Sequence, residues 1–383
     1  MKFSVLRDDI HAAVNTVQRA TATRVIQPIL SNILIESTGA DRLKLAATDL
    51  DLAIETSISA TVVAQGKTTL SAKKLSEIIN RLPNGSQITF EIDEQLQSAR
   101  IECGKSVFDM RTLPAEEFPL IKQIDQAQYL DVSQKALVKA VNQTVFAAAS
   151  YDANNVLGGV YFQLNGNGLE MAATDGSRLA RRLEPVAVEA LNGANNAEAV
   201  INQDITAIIP AKALQEFLKL AGSGDSEAPV RLAIQDGQIA FRSERFYLLS
   251  RLLDGQYPKY HQLIPAENKY VIYAKKQEFI SSIERAAVMA NERTNIVKMQ
   301  FADGNASLAA QTPDVGDASD NLSVTYDGEP LSIAFNYKFV LDALKVIESD
   351  DVRLETNGSL SPTLFRSKEE NDYLCLVMPV QVK

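Results

Sequence analysis

Apolar positions recur at helical spacing in six places and at alternating spacing in many more, and the whole order is run through three times. Each copy opens with a short alternating segment that leads into an amphipathic helix. The segments are FSVLRDDIHAAVNTVQ from Phe3, LDVSQKALVKAVNQTV from Leu130 and VIYAKKQEFISSIERA from Val271. A pair of alternating strands follows and closes on small residues. LKLAATD spans 43–49 and LEMAATD spans 169–175, identical at five of seven positions. The third copy, SLAAQTPD from Ser307, keeps the two alanines and loses the tight Thr-Asp step.

A second helix then starts near a lysine in every copy. Lys73 opens KKLSEII, Lys212 opens KALQEFL and Lys338 opens KFVLDAL. Alternating strands close each copy: QITFEI with SVFDMRTLP, VRLAIQ with QIAFRSERFYLLSRLL, and VRLET with DYLCLVMPV. The polar connectors after Phe118-Pro119 and Tyr257-Pro258 mark boundaries. The pattern predicts an α+β fold of three repeated domains, 1–125, 126–266 and 267–383. Each places two helices on antiparallel sheets.

Composition narrows the class of protein. The chain has 383 residues, 46% hydrophobic and 22% charged, as an ordinary globular protein does. No stretch reaches the roughly 18 uninterrupted apolar residues of a membrane helix. Arg7, Asp8 and Asp9 interrupt the first apolar positions, so no secretory signal is expected and the cytoplasm is the expected compartment. Cys103 and Cys375 are too few for a disulfide framework and read as small buried apolar residues.

Charge separates by element. The net charge is −10, yet the six predicted helices together carry +7, which leaves −17 on everything else. Lysine at the same point of the second helix in all three copies argues for a basic helical layer. Lys and Arg spread over repeated helices, without interleaved aromatics, suit sequence-independent and salt-sensitive contact with phosphates. Helices packed side by side sit about 8–10 Å apart, so six would enclose a hole of only about 15–19 Å, while twelve would enclose about 31–38 Å. A protein of this design that surrounds a duplex needs two chains, joined head to tail.

Catalytic readings fare poorly. His11 and His261 are the two histidines and have no metal-ligand spacing. Neither a phosphate-binding GxxxxGK[ST] loop, a GxSxG elbow nor HExxH occurs. Asp49 and Asp175 occupy the same place in successive copies, which points to a turn, and Asp314, Asp317 and Asp320 have no EF-hand spacing. No cofactor is expected. A non-DNA adaptor built from the same unit is the remaining alternative, and it gives no reason for the basic helices.

The triplicated unit carries further marks: Lys2-Phe3, Arg24 before Pro28-Ile29-Leu30, ATDGSRLA at 173–180, DGQYPKY at 254–260 and VMPV at 377–380. Together, over the whole chain, it resembles the bacterial DNA sliding clamp, the β subunit of DNA polymerase III. The resemblance implies a homodimeric ring with helices inside, a non-catalytic processivity factor that encircles duplex DNA without sequence specificity. It implies a clamp loader, the polymerase III catalytic subunit, and other polymerases or repair proteins carrying a clamp-binding motif as partners, and no membrane. The DNA-facing positions it implies are Arg24, Lys73, Tyr151, Asn154, Asn155, Lys212 and Lys338. It implies a hydrophobic cleft for partner peptides, lined by Leu157, Thr174, Gly176, Ser177, Arg178, Leu179, Pro258, Leu263, Pro362, Val377, Met378, Pro379 and Val380. Ser177, Asn154 and Gln381 differ from the residues familiar at their places. At the dimer joint Phe108 and Met110 would face Val288 and Met289 of a second chain.

Overall fold

Alternation at period two puts one face of each strand on the core, and the strands that result number twenty-five in the described residues. The structure is a computed structural model that describes residues 1–382 apart from 23–26, 125–128, 151–154, 186–203, 223–227 and 314. Arg24, Tyr151, Asn154 and Asp314 lie outside the described residues, as does the boundary expected at 125.

The first repeat runs β1 (Lys2–Leu6), α1 (Arg7–Val17), β2 (Asn32–Ser37), β3 (Arg42–Thr48), β4 (Leu52–Ser59), β5 (Thr61–Ala64), β6 (Lys67–Ser71), α2 (Ala72–Arg81), β7 (Gln87–Asp93), β8 (Ser98–Cys103) and β9 (Ser106–Leu113). The second runs β10 (Leu130–Val132), α3 (Gln134–Asn142), β11 (Gly159–Asn165), β12 (Gly168–Thr174), β13 (Arg178–Glu184), β14 (Ile205–Pro210), α4 (Ala211–Ala221), β15 (Val230–Gln235), β16 (Gln238–Arg242) and β17 (Tyr247–Arg251). The third runs β18 (Tyr270–Lys275), α5 (Lys276–Ala287), β19 (Ile296–Ala302), β20 (Asn305–Thr312), β21 (Gly316–Ser323), β22 (Leu331–Asn336), α6 (Tyr337–Lys345), β23 (Asp351–Thr356), β24 (Thr363–Ser367) and β25 (Tyr373–Val377).

Every repeat is two copies of strand, helix and three-strand meander, the first with β5 added beside β1, and each lead strand joins the meander of the other half. Thus β1 pairs with β7 of β7-β8-β9, and β6 pairs with β2 of β2-β3-β4. The same exchange gives β10 with β15-β16-β17, β14 with β11-β12-β13, β18 with β23-β24-β25 and β22 with β19-β20-β21. All these pairs are antiparallel. One compact unit holds the first repeat with β10 and β15 to β17; a second holds β11 to β14 with the third repeat.

Two strand pairs carry the sheets from one repeat into the next. In the first unit β4 pairs with β17, in the register Leu52↔Ser250 and Ala53↔Leu249. In the second unit β13 pairs with β25, in the register Arg178↔Val377 and Leu179↔Leu376. The joining strands hold the same place in their meanders both times. The pattern leaves two counterparts: β21 pairs with β20 alone among the described residues, and β9 pairs with β8 along its length and with β6 only at Thr112 and Leu113.

Helices bury one stripe each, as their spacing requires: Ile10, Ala13, Val14 and Val17 in α1, Leu75 and Ile79 in α2, and Val340, Leu341 and Leu344 in α6. Their observed limits differ a little from those read in the sequence. α1 stops at Val17 and a 3₁₀ turn carries Arg19, while Lys275 stands just outside α5. On the observed limits the six helices carry +5 instead of +7. Strands β4, β5, β8, β13, β21 and β24 and the lead strands β6, β14 and β22 were not expected, and the run 238–253 proves to be a hairpin, turned at Ser243, whose hydroxyl accepts from the Arg245 and Phe246 amides.

One contact recurs in all three repeats. The first residue of the first helix donates to a carbonyl at the C-terminal end of the second. Arg7 Nε reaches Ile79 O at 3.1 Å, Gln134 Nε2 reaches Ala221 O at 3.0 Å, and Lys276 Nζ reaches Ile347 O at 2.7 Å. Terminal carbonyls have no intrahelical donor and sit at the negative end of the helix dipole, so a cation or amide there satisfies both needs. Arg7 is itself buried. Arg7→Ala should therefore lower the stability of the first repeat by about 2 kcal/mol, and Arg7→Gln, which copies the second repeat, by about half of that. Urea denaturation followed by circular dichroism measures both.

Candidate functional site

The residues expected to form a cleft gather on the second unit around one tight turn. Thr174 ends β12 and Arg178 begins β13. Thr174 Oγ1 donates to Arg178 O at 2.6 Å and accepts from the Gly176 amide at 3.1 Å. Asp175 Oδ1 accepts from the Ser177 and Arg178 amides at 2.9 and 3.0 Å. Gly176 has a φ of +88°, a conformation that costs glycine little. The first repeat builds the same turn: Thr48 Oγ1 donates to Leu52 O, and Asp49 Oδ1 accepts from the Asp51 and Leu52 amides. Both aspartates thus serve backbone amides.

Strand pairing brings the chain's end to this turn. Beyond the Arg178↔Val377 pair, the Met378 amide donates to Ser177 O at 2.9 Å, and the Val380 amide donates to Ala334 O at 2.7 Å. Thr363 pairs with Val377, which sets Pro362 beside the same strand end. Beneath lies an apolar floor of Ala172, Leu179, Ile208, Tyr257, Tyr260, Leu364, Leu374 and Leu376, with Val156 and Ile264 packed against it. Met378 is 40% exposed and Leu263 55% exposed above that floor, while Leu157, Pro379 and Val380 are half-buried. Pro258 belongs to the connector that supplies Tyr257 and Tyr260. Sequence reasoning named the rim and missed Val156, Tyr257, Tyr260 and Leu376. Both tyrosines lie in the DGQYPKY run, which was a usable signal.

Burial and pairing decide the ionisation of the supporting groups. Burial pushes the Tyr257 hydroxyl up to about 12, so it stays protonated, accepts from the Thr174 amide at 3.1 Å and donates to Gly159 O. Burial alone would raise the Glu170 carboxyl, but hydrogen bonds from Arg181 and Tyr260 outweigh it and the net direction is down. Tyr260 Oη donates to Glu170 at 2.6 Å, and Arg181 Nε donates at 2.8 Å. Cys375, on β25 opposite Ala180, is fully buried and its thiol is pushed up to about 12 by that burial.

Arg178 sends its charge away from the apolar floor. Its guanidinium donates to Asp175 at 3.0 Å, to Asp342 of α6 at 2.6 Å and to Phe146 O at 2.6 Å, and it lies 4.5 Å from the Phe339 ring centroid. With Ser177, Lys212 and Phe339 it lines a cavity of about 610 Å³. This side chain pins β13 to α6, so its place near the cleft is structural support for the turn.

Comparison with known proteins decides the family. Models of the DNA polymerase III β subunit match in order: the N-terminal domain over residues 1–122, the central domain over 131–259 and the C-terminal domain over 261–381. The chain belongs to the bacterial β sliding clamps. The β sliding clamp of Synechocystis sp. is 34% identical over 397 residues and that of Synechococcus elongatus 32% over 386, with both chains covered in full. The sliding clamp structure from Bacillus subtilis matches at a TM-score of 0.89 and 29% identity over the full length of both chains. A Pseudomonas aeruginosa sliding clamp bound to griselimycin matches at 0.88 and 27%, again over both full lengths. The clamp is a processivity factor of DNA replication and a non-catalytic accessory subunit of DNA polymerase III.

The clamp's remaining predicted residues are spread over its helices and sheet edges. Lys73, Lys212 and Lys338 are exposed on α2, α4 and α6. Asn155 is exposed and its side chain accepts from the Leu157 amide at 3.1 Å, capping a 3₁₀ turn. Phe108 and Met110 alternate with exposed Val107 and Asp109 on β9, and Val288 is 77% exposed just after α5. Among the described residues no helix is long and apolar enough to cross a membrane.

A group whose pKa is lowered by folding contributes stability above its unfolded value and loses it as the pH falls. Glu170 should therefore support the floor of the cleft above pH about 4.5 and release it below. Glu170→Gln is expected to melt earlier than the parent at pH 7, with the gap narrowing as the pH falls below about 4.5. Thermal melts across that range test this.

Proposed function

We propose that two copies of the clamp join head to tail into a ring around duplex DNA, and that partner proteins dock a short apolar segment in the cleft between Ser177 and Met378. The two internal joints support the head-to-tail reading. Each pairs the last strand of one first meander with the last strand of the next second meander, and among the described residues β21 and β9 are the members of that series left without such a partner. Joining β21 of one chain to β9 of another continues the series and covers both exposed edges, which a soluble sheet protein needs. Phe108 and Met110 would then meet Val288 and Met289 of the second chain. Val288→Asp with Met289→Asp should give monomers, because two charges buried without partners cost several kcal/mol. Sedimentation showing an intact dimer would refute this joint.

The helices supply the DNA-facing surface in this reading. Several of their cations are already paired, as Lys74 is with Glu77, Lys219 with Glu216 and Arg285 with Asp320. Lys73, Lys135, Lys338 and Lys345 stand exposed on the same elements. Lys73, Lys212 and Lys338, with Asn155 and with Arg24, Tyr151 and Asn154, form the proposed DNA-facing set. Phosphate contacts of this kind give hold without sequence preference. Lys73→Glu, Lys212→Glu and Lys338→Glu together should shorten retention on nicked circular DNA at least about tenfold and flatten its salt dependence by about one unit of slope for each phosphate left without its lysine. Gel filtration of clamp–DNA complexes at several salt concentrations checks this.

The cleft supports tethering through its chemistry. An exposed thioether, prolines and aliphatic side chains over an apolar floor accept varied apolar side chains. The DNA polymerase III catalytic subunit, other polymerases or repair proteins, and a clamp loader are the proposed users. Deleting residues 378–383 should abolish binding of a partner peptide carrying the clamp-binding motif and leave the dimer intact. Undiminished affinity by fluorescence anisotropy would remove the cleft from the reading.

A further inference from the structure

The two internal joints are copies of each other down to single hydrogen bonds, which makes their differences informative. The Arg251 amide donates to Asp51 O at 2.8 Å as the Met378 amide donates to Ser177 O at 2.9 Å. The Ala22 amide donates to Leu30 O at 3.0 Å as the Ala149 amide donates to Leu157 O at 2.7 Å. Leu50, Asp51, Leu30 and Arg251 therefore stand for Gly176, Ser177, Leu157 and Met378. Phe118 and Ile121 likewise stand for Tyr257 and Tyr260.

The two joints differ at the lip and in the pair of aliphatic residues behind it, while Phe118 and Tyr257 are buried alike. Asp51 and Arg251 face each other across the lip as an exposed ion pair at 3.8 Å, where the second joint has a serine and an exposed methionine. Leu50 adopts a φ of +81°, rare for leucine, so a side chain stands where Gly176 leaves open space. Behind the lip, Ile29 and Leu30 are 6% and 5% exposed, covered by Phe118 with Ile121 against them. Their counterparts Val156 and Leu157 are half-buried, and the hydroxyl of Tyr260 is tied to Glu170 where Ile121 has no such tether.

We propose that the first joint is a closed copy of the cleft, occupied by the clamp's own Ile121 and sealed by Leu50, Asp51 and Arg251, and that these residues confine apolar peptides to one site per chain. A peptide entering there would have to strip water from two charges and displace an aliphatic side chain already in place. The second joint imposes neither requirement.

The proposal rests on the cleft reading, and one peptide tests both. The probe is an N-acetylated pentapeptide with two leucines and a C-terminal phenylalanine, titrated calorimetrically into the full-length dimer. Ser177→Asp with Met378→Arg, which writes the first joint's lip onto the cleft, should weaken the peptide at least about tenfold. Leu50→Gly, Asp51→Ser, Ile121→Ala and Arg251→Met together should raise the stoichiometry from one to two peptides per chain. The melting temperature of each variant shows that it is folded. A charged lip that leaves affinity unchanged would overturn the proposal, as would a folded opened variant that still takes one peptide. If the unaltered clamp binds no peptide, the cleft reading itself falls and the proposal with it.

Discussion

Backbone amides and carbonyls at a sheet edge must be satisfied, and in this molecule one repeated strand pairing does that work for each internal boundary between repeats. The pairing of β4 with β17 and of β13 with β25 follows a single register rule. A one-residue slip would turn every core side chain of the joining strand to the wrong face. The register is therefore fixed by Leu249 and Ala53 in one joint and by Leu376 and Leu179 in the other, all buried. The turn geometry, the position of the chain's end and the slot beside it all depend on that alignment.

On this repeated frame, function comes from departures. The Thr-Asp turn is held by the same hydrogen bonds in two repeats, so its polar residues were free of any catalytic duty. What differs is the next residue: Leu52 enters the core of the first joint, whereas Arg178 reaches Asp342 and Phe146 O. An arginine with so little of its side chain in water needs that much company, since a charge removed from water without partners costs several kcal/mol. The same logic explains Tyr260 and Glu170. One hydroxyl–carboxylate contact fixes an aromatic ring in the apolar floor and satisfies a carboxylate that is largely removed from water.

Much of the fold was legible because repetition multiplies weak local signals. Three copies of strand–helix, small-residue strand and lysine-led helix point to the same architecture, and all six helices lie within two residues of their expected ends. Strand β24 escaped because TLFRS is short and follows Pro362. The turn at Ser243 escaped because it lacks glycine and proline. In the site, Leu179 and the VMPV end lay in readable motifs, and Leu157 came only from the family resemblance. The partners that position them were not: Arg178 and Asp342 lie 164 residues apart, and Tyr260 and Glu170 lie 90 apart. Nothing local encodes such pairs.

Cys375 sits in the middle of β25, on the strand that makes the second joint, fully buried and with its thiol pushed up to about 12. Thiolate is the reactive form, so in the closed joint this sulfur is chemically silent near neutral pH. It becomes reactive only when the strand separates and water reaches it. Its rate of alkylation is then a clock for local unzipping of that joint, in the way amide exchange reports opening elsewhere. The chain carries a built-in kinetic probe at the seam between β13 and β25, read without any added label on the scaffold.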